Sequence, residues 1–350
     1  MPTAALRVLV VNPGSSSLKL AVLGAGDAIL VQQEVDSGAG VVDERALSGF
    51  LAGVTGGFDA AGVRVVHGGL RLRAPTLATD AVVAELDQIS DLAPLHNPPA
   101  VAALRRLRAS GSVPVVACFD TAFHAGMPEA AAVYAVPWRW TSEWGVRRYG
   151  FHGLSHAYAT RQAAEQLGRA VADLQVVTCH LGAGASLAAV RGGVSVDTTM
   201  GFTPMDGLVM ATRSGSVDPG LLLHVQRRHG VSVADAERLL DRESGLLGVS
   251  GVSADMRAVL EAAAGGSARA ALAVDVYVHR LRALVAAMAA SLDRVDALVF
   301  TGGVGENAAE IRSQGVPAWL RDVPVLVVHA REDLQIAHEV RTLLGGGASA

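Results

Sequence analysis

Two stretches of this chain follow the same local plan, in which a short loop of small residues joins two apolar runs. In the first, Leu6–Val11 and Leu18–Leu23 flank a loop of Gly and Ser residues. In the second, Gln175–His180 and Ser186–Val190 flank the loop 181–185. Nearly continuous apolar runs of this length are typical of buried strands, and clusters of Gly and Ser interrupt them. Both stretches are therefore predicted to be β-hairpins.

Aligned without a gap, the two stretches match at five positions. The pairs are Asn12 with His180, Gly14 with Gly182, Ser16 with Gly184, Val22 with Val190 and Gly24 with Gly192. We infer an internal repeat of two related halves, each of which begins with a hairpin whose loop lets the backbone approach a ligand. A length of 350 residues also favours two domains over one core.

The remainder of the chain alternates between strand and helix patterns. Further strands are predicted at Val113–Phe119, Asp296–Phe300 and Val323–Val328. Helices are predicted at Ala81–Leu92, Pro99–Arg108, His156–Leu167, Ala268–Leu292 and Glu332–Leu344, and from Glu306 onward. This alternation predicts an α/β fold with layered sheets.

Composition excludes several classes of protein. With 51% hydrophobic and 18% charged residues, the chain is not expected to be disordered. Its 29 basic and 33 acidic residues are mixed along the sequence, so no surface for nucleic acid or membrane is expected. Cys118 and Cys179 are predicted to be buried free thiols. Without a signal peptide or a long apolar run, the expected compartment is the cytoplasm.

Three loops could bind phosphate groups. Asn12–Lys19 offers backbone N–H groups, hydroxyls and a cation, but its glycine spacing and the strand that follows exclude a P-loop. His180–Ser186 contains a Gly-x-Gly that is weak evidence alone. Gly302–Asn307 stands between a strand and a helix, where N–H groups bind anions. The alternatives are a plain hairpin turn for the first loop and a tight turn with Glu306 in the first helical turn for the third.

Several charged side chains stand among small or apolar residues. The positive groups are Arg64, His96, His152, His156 and Arg213. A buried Arg requires a partner, and several such groups suggest a shared anion, such as a phosphoryl group in transfer. Asp120 follows a predicted strand, at the position where α/β proteins place catalytic groups, although a helix N-cap is the alternative.

In their order along the chain, these motifs resemble the acetate kinase family, part of the actin, sugar-kinase and Hsp70-like superfamily. The stretches that carry the resemblance are Val11–Lys19, Arg64–Gly69, Pro94–Pro98, Asp120–Pro128, Arg148–His156, His180–Ser186, Asp197–Pro219 and Thr301–Asn307. The resemblance implies two actin-like (ribonuclease H-like) domains with a nucleotide cleft between them. It assigns residues 1–123 and 334–350 to the first domain and residues 124–333 to the second.

The resemblance also implies a role for each candidate residue. The catalytic residues would be Asp120, His152 and Arg213. The substrate would contact Arg64, Val66, Leu95, His96, Phe151 and Pro204. The nucleotide would contact Lys19, Ser15, Ser17, His180, Leu181, Gly182, Ala183, Gly184, Asp255, Met256, Arg257, Gly303, Val304, Gly305, Glu306 and Asn307. Asn12 and Glu332 would hold Mg²⁺, with Mn²⁺ as the alternative.

The sequence departs from the family pattern in three places. Ala183 stands where relatives usually carry Asn, which implies weaker nucleotide binding. Arg331 stands where Asn usually precedes Glu332. The stretch between Arg312 and Val323 is shorter than in typical relatives, which implies a trimmed loop that could touch dimer contacts.

The activity that the resemblance implies is reversible, direct in-line transfer of the γ-phosphoryl group of ATP to acetate, giving acetyl phosphate and ADP. The enzyme would be a cytoplasmic homodimer. A carboxylate acceptor is already ionised near pH 7, so catalysis would depend on positioning and charge rather than on a general base. A propionate- or butyrate-preferring kinase, a non-catalytic nucleotide-binding regulator and a sugar kinase of the same superfamily are the alternatives.

Overall fold

The apolar runs of the sequence form the strands of two sheets in the computed structural model, which describes residues 6–14, 17–36, 44–111 and 113–345. The first sheet contains β1 (Val8–Pro13), β2 (Ser17–Leu23), β3 (Ile29–Asp36), β4 (Ala60–Val65), β5 (Thr76–Leu77) and β6 (Val115–Phe119). The second contains β7 (Gln175–Leu181), β8 (Ala185–Arg191), β9 (Val194–Thr198), β10 (Ala297–Thr301) and β11 (Val325–Val327).

Helices connect these strands and complete an α/β fold, as predicted. They are α1 (Glu44–Gly53), α2 (Asp80–Gln88), α3 (Asn97–Ala109), α4 (Glu129–Ala132), α5 (Trp138–Trp144), α6 (Gly153–Leu167), α7 (Pro219–His229), α8 (Val233–Arg242), α9 (Gly245–Ser250), α10 (Met256–Ala264), α11 (Ala268–Ala290), α12 (Gly302–Asn307), α13 (Ala309–Gly315) and α14 (Glu332–Gly345). Within the described ranges, no helix combines the length and the apolar character needed to cross a bilayer.

The chain divides into two compact units with one sheet each. Unit 1 consists of Met1–Ala125, Phe151–Tyr158 and Arg331–Ala350, and unit 2 of Gly126–Gly150 and Ala159–Ala330. Cys118 in unit 1 and Cys179 in unit 2 are buried free thiols, as predicted.

Apart from the short edge strand β5, the two sheets share one topology. In unit 1, β3, β2 and β1 pair antiparallel in that order, and β4 and then β6 continue parallel to β1. In unit 2, β9, β8 and β7 pair antiparallel, and β10 and then β11 continue parallel to β7. The same order and the same strand directions confirm two related halves.

The ungapped alignment of the two hairpins is nevertheless wrong by one residue. Asn12 pairs with Lys19, seven positions later in the chain, whereas His180 pairs with Ser186, six positions later. If Asn12 corresponds to His180, then Lys19 corresponds to Ser186. The offset between the two hairpins is therefore one residue smaller after the loop, and Val22 does not correspond to Val190. The second loop is one residue shorter than the first.

Alternate residues of the central strands of unit 1 face opposite layers, as the two-residue period of a strand requires. Leu9 and Val63 belong to a buried cluster that includes Leu104 of α3. Gly62, the neighbour of Val63, faces α14. A Cβ atom at Gly62 would lie 2.5 Å from Cγ2 of Ile336 and 2.8 Å from Cγ2 of Val340. The missing side chain at Gly62 therefore lets α14 pack closely against the sheet.

Some strands and helices of the structure were not predicted from the sequence. The edge strand β3 was not predicted, because its residues are almost all exposed and its apolar start, Ile29–Val31, is followed by the polar residues Gln32–Glu34. The helices α7 and α8, which contain no buried residue, were also not predicted. The helix expected from Glu306 begins instead at Gly302 and ends at Asn307.

The contact at Gly62 yields a stability prediction. Gly62→Ala should lower the free energy of unfolding by about 1–3 kcal/mol, because the new methyl group overpacks the contact with α14. Urea denaturation measures the change. Gly49→Ala in α1 is the matched control, since a Cβ atom there meets nothing within 4 Å. Equal stability of the two variants would contradict the prediction.

Candidate functional site

A buried cluster of charged and amide side chains lies where three parallel strands of unit 1 end. Asn12 lies near the end of β1, Arg64 near the end of β4, and Asp120 directly after β6. Because β1, β4 and β6 are adjacent and parallel, these ends meet at one edge of the sheet. Glu332, the first residue of α14, completes the cluster.

Arg64 is the centre of this cluster. Its Nε donates to Oδ1 of Asp120 at 3.1 Å, and its Nη2 donates to Oδ2 at 2.7 Å. Its Nη1 donates to Oδ1 of Asn12 at 3.2 Å and lies 3.1 Å from Oε2 of Glu332. Nδ2 of Asn12 donates to the same Glu332 oxygen at 2.9 Å. The N-cap of the helical turn that follows is Thr121 and not Asp120, whose carboxylate instead pairs with Arg64 at two points.

Burial and charge act against each other in the cluster. Burial opposes the charge of Arg64, but the carboxylates of Asp120 and Glu332 outweigh it and raise the pKa of the guanidinium. Burial also raises the pKa of Asp120, whose side chain is 1% exposed, although Arg64 and the backbone N–H of His152 favour its carboxylate. One guanidinium faces two carboxyl groups, so the ionised cluster carries a net negative charge.

The segment 151–153 lies against Asp120. His152 has a backbone φ of 57°, in the left-handed region that non-glycine residues rarely adopt. The N–H of Gly153 donates to the carbonyl oxygen of Asp120 at 3.0 Å. A Cβ atom at Gly153 would lie 2.1 Å from that oxygen, so glycine is required for this approach.

Four of the predicted substrate contacts come together in unit 1. Val66 and Phe151 are buried, His96 is half-buried and Leu95 is exposed. These segments are joined by Asn97, whose Oδ1 accepts the His67 N–H at 3.1 Å and whose Nδ2 donates to the His67 carbonyl at 3.0 Å.

The ring of His67 also contacts the Phe151 ring, with centroids 5.6 Å apart. Sequence reasoning missed Asn97, although it stands beside His96. Arg64 also lies in unit 1, and the remaining predicted contact, Pro204, belongs to unit 2.

The predicted nucleotide contacts of the first loop lie in unit 1. Nζ of Lys19 is 3.7 Å from Oε1 of Glu34, and the Lys19 side chain is 62% exposed. Oγ of Ser17 donates to the same Glu34 oxygen at 2.7 Å. Ser15 lies outside the described residues.

A cavity of about 1020 Å³ in unit 2 brings together most of the other nucleotide candidates. The predicted residues in its wall are Gly182, Ala183, Asp255, Met256, Arg257, Gly303, Val304 and Asn307. Further lining residues that the sequence did not indicate are Ala211, Leu246, Ala254, Leu260, Tyr277, Ala308, Ala309 and Glu310. Ligand cavities of about 300–1,000 Å³ are usual, so this one has room for a nucleotide.

Other nucleotide candidates do not line the cavity: His180, Leu181, Gly184, Gly305 and Glu306. Oε1 of Glu306 accepts the N–H groups of Gly302 and Ala330, each at 3.0 Å, and Oε2 contacts Nδ1 of His329. Burial alone would raise the pKa of Glu306, but these hydrogen bonds hold it below its ordinary value. Glu306 therefore braces the glycine-rich turn from the end of α12.

Two contacts order the cavity wall, and the first of them was expected from the sequence. Asp255 caps α10 by accepting the Arg257 N–H at 2.9 Å, as the helix-start reading predicted. Its carboxylate also pairs with the Arg257 guanidinium at 2.7 Å. The carbonyl oxygen of Ala183 accepts the Ala211 N–H at 3.1 Å, which fixes the second loop.

Arg213 lies in unit 2 and is held by the end of α8. Its Nε donates to Oδ1 of Asp241 at 2.9 Å, and its Nη1 donates to the Pro204 carbonyl at 3.4 Å. Oγ1 of Thr212 donates to the Asp241 carbonyl at 2.8 Å. Asp241 was not predicted as a partner of Arg213, because the sequence around Asp241 gives no indication of a contact with a residue 28 positions earlier.

Comparisons with known proteins agree on one family. A family model described as the acetokinase family matches residues 52–330. An acetate kinase from Synechococcus sp. (strain JA-2-3B'a(2-13)) is 52% identical over 310 residues, which make up 81% of this chain and 76% of that protein.

Two solved structures are similar over almost the whole chain. An acetate kinase from Porphyromonas gingivalis has a TM-score of 0.88 at 33% identity, covering 97% of this chain and 100% of that one. A propionate kinase from Francisella tularensis subsp. tularensis SCHU S4 has a TM-score of 0.87 at 34% identity, covering 96% and 99%.

Two buried imidazoles in unit 1 make stability depend on pH. Burial lowers the pKa of His67 and of His124 to about 4. Since an unfolded His has a pKa of about 6.5, the unfolded chain binds protons between these values that the folded chain does not. The free energy of unfolding should therefore fall from pH 7 to pH 5, by up to about 1.4 kcal/mol per pH unit for each imidazole.

Urea titrations at pH 7, 6 and 5 measure this slope. His124→Gln removes one of the two titrating groups, so its slope should be shallower than that of the unaltered protein. An unchanged slope would show that His124 is not a proton-binding group of the unfolding reaction.

Proposed function

Because the chain belongs to the acetokinase family, we propose that it is an acetate kinase, which transfers the γ-phosphoryl group of ATP reversibly to acetate and forms acetyl phosphate and ADP. The observation that carries this proposal is the buried cluster around Arg64, which offers a fixed guanidinium at the end of a sheet. A regulator that binds nucleotide alone has no use for such a cluster.

Arg64 is proposed to bind the carboxylate of acetate. Asp120 accepts from its Nε and from one N–H of its Nη2, and Asn12 and Glu332 engage its Nη1. Among the described residues, the second N–H of Nη2 has no partner, and it can therefore donate to an incoming carboxylate. The proposed role of Asp120 is to orient the guanidinium of Arg64, because its two carboxylate oxygens fix the guanidinium plane.

ATP is proposed to bind in the cavity of unit 2. The backbone of Gly182 and Gly303 lines this cavity without side chains, which suits the approach of phosphate or ribose. Ala183 offers a methyl group where the usual Asn of the family would offer an amide. This difference supports weaker nucleotide binding than in typical relatives.

Asn12 and Glu332 are proposed to hold Mg²⁺, or Mn²⁺ as the alternative. Their oxygens are the donor type that Mg²⁺ prefers, and the net negative charge of the cluster favours a cation. With two side chains as protein ligands, water and phosphate oxygens would have to supply the other positions around the ion. Bound Mg²⁺ would neutralise charge on the β- and γ-phosphate oxygens.

The proposed chemistry is direct in-line transfer. Acetate is ionised near pH 7, so no side chain has to remove a proton from it. Arg213 and His152 are proposed to stabilise the charge of the migrating phosphoryl group. The pairing of Arg213 with Asp241 supports this role, because it fixes the guanidinium before the reaction begins.

A preference for propionate is the second candidate, since one similar structure is a propionate kinase. A hydrophobic pocket discriminates by only about 1–3 kcal/mol per methylene, so Val66, Leu95, Phe151 and Pro204 can favour one acyl chain only modestly. Relative rates with acetate, propionate and butyrate decide between the candidates.

We also propose a cytoplasmic homodimer with two domains, formed by residues 1–123 with 334–350 and by residues 124–333. The two compact units support a division into two domains, although the first unit also includes Phe151–Tyr158 and resumes at Arg331. The surface of α7 and α8 supports a dimer, because Leu223 and Val233 are exposed there and neither helix contains a buried residue.

The activity prediction concerns ADP release from MgATP. Release should depend on acetate and should fall at least about 100-fold in Arg213→Ala, because the transition-state charge loses a fixed guanidinium. A coupled assay measures the rate. Arg282→Ala is the control, since Arg282 bonds the Gln314 carbonyl, outside the cavity wall and the Arg213 contacts. ATP binding without release on any short carboxylate would overturn the kinase proposal.

Asp120→Asn should sharply reduce turnover, by about 10- to 1,000-fold, since the amide cannot hold Arg64 through two charged contacts. Thermal unfolding should change only modestly, because Glu332 still pairs with Arg64. Asp296→Asn is the matched control, as Asp296 pairs with Arg169 and Arg294 in unit 2. Near-normal turnover of Asp120→Asn would contradict the assigned role.

A further inference from the structure

The segment Phe151–Gly153 is tied to the segment Asp120–His124 at three points. The N–H of Gly153 donates to the carbonyl oxygen of Asp120 at 3.0 Å. The N–H of His152 donates to the carboxylate of Asp120. At the other end of both segments, Nε2 of His124 lies 3.0 Å from the carbonyl oxygen of Phe151. Two backbone donors and one imidazole therefore fix the peptide that contains His152.

His152 requires this support because of its backbone conformation. Among the described residues, Asp27 and His152 are the non-glycine positions with positive φ. Such a conformation is unfavourable for a residue with a Cβ atom and persists where neighbouring contacts impose it. The contact from His124 acts on the carbonyl of the peptide bond that joins Phe151 to His152, so it restrains the orientation of that peptide plane.

The imidazole of His124 is itself held firmly. Its ring contacts the rings of Phe123 and His156 at nearly perpendicular angles, with centroids 5.4 Å and 5.6 Å away. Because a carbonyl oxygen has no proton to give, Nε2 carries the hydrogen in this contact. Burial keeps the ring neutral at pH 7. His124 thus donates a hydrogen bond without adding a charge near Asp120 and Arg64.

We propose that His124 is a positioning residue for phosphoryl transfer: its Nε2–H fixes the Phe151 carbonyl, which holds His152 in its left-handed conformation with its N–H on Asp120. This inference rests on the proposed kinase function, in which Asp120 and His152 serve the reaction. His124 touches neither substrate in this account and acts through the 151–153 backbone.

Two substitutions separate the hydrogen bond from the packing. His124→Phe keeps an aromatic ring between Phe123 and His156 but removes the donor. His124→Gln supplies a side-chain amide that can donate to the same carbonyl oxygen. We expect kcat to fall about 10- to 100-fold in His124→Phe, with the KM for ATP changed less than about 3-fold, and to recover at least partly in His124→Gln.

Ser195→Ala controls for the general effect of losing a buried hydrogen bond, since the buried Ser195 hydroxyl donates to the Asp197 carbonyl in unit 2. It should keep kcat within about 2-fold of the unaltered protein. Equal losses of kcat in His124→Phe and His124→Gln, or no loss in His124→Phe, would overturn the proposal.

Hydrogen exchange gives a readout that does not depend on activity. The amide of His152 should lose protection in His124→Phe and regain it in His124→Gln, measured on the full chain without substrates. Unchanged protection in His124→Phe overturns the positioning role even if kcat falls. If the unaltered protein shows no turnover on short carboxylates, the kinase proposal fails, while the exchange result still decides whether His124 holds this backbone.

Discussion

The structure of unit 1 depends on the buried guanidinium of Arg64. A charge in this position is costly unless carboxylates surround it, and Asp120 and Glu332 meet that requirement from two other elements. The contacts join the ends of β4 and β6 to the first residue of α14, which is more than 200 positions further along the chain. The same ion pairs therefore hold the first residue of α14 against the strand ends and fix the guanidinium of the site.

The apolar runs allowed most of the fold to be predicted, since buried parallel strands are continuous in sequence. β6, β7, β10 and α11 lie close to their expected positions. The edge strand β3 and the exposed helices α7 and α8 could not be found in this way. Their residues are exposed to solvent instead of being packed in a core.

The sequence allowed many candidate site residues to be identified, but it did not show which residues contact one another. A buried Arg side chain requires a carboxylate partner, but the sequence does not show which Asp or Glu is close enough to pair with it. Asp241, Asn97 and His124 escaped notice because their roles depend on side-chain contacts to residues about 30 positions away. Glu306 was recognised, yet its carboxylate faces Gly302 and Ala330 of its own unit instead of the cavity.

The repeated sheet topology has a consequence for how each half tolerates change. In unit 1 the strand ends carry Asn12, Arg64 and Asp120, so that edge works through side-chain charge. In unit 2 the corresponding edge carries Gly182 and Gly302, and a Cβ atom at Gly302 would lie 2.8 Å from the Leu181 carbonyl oxygen. At these strand ends, substitution of Asn12, Arg64 or Asp120 therefore removes polar or charged contacts, whereas a side chain in place of Gly302 would meet the backbone of the neighbouring strand.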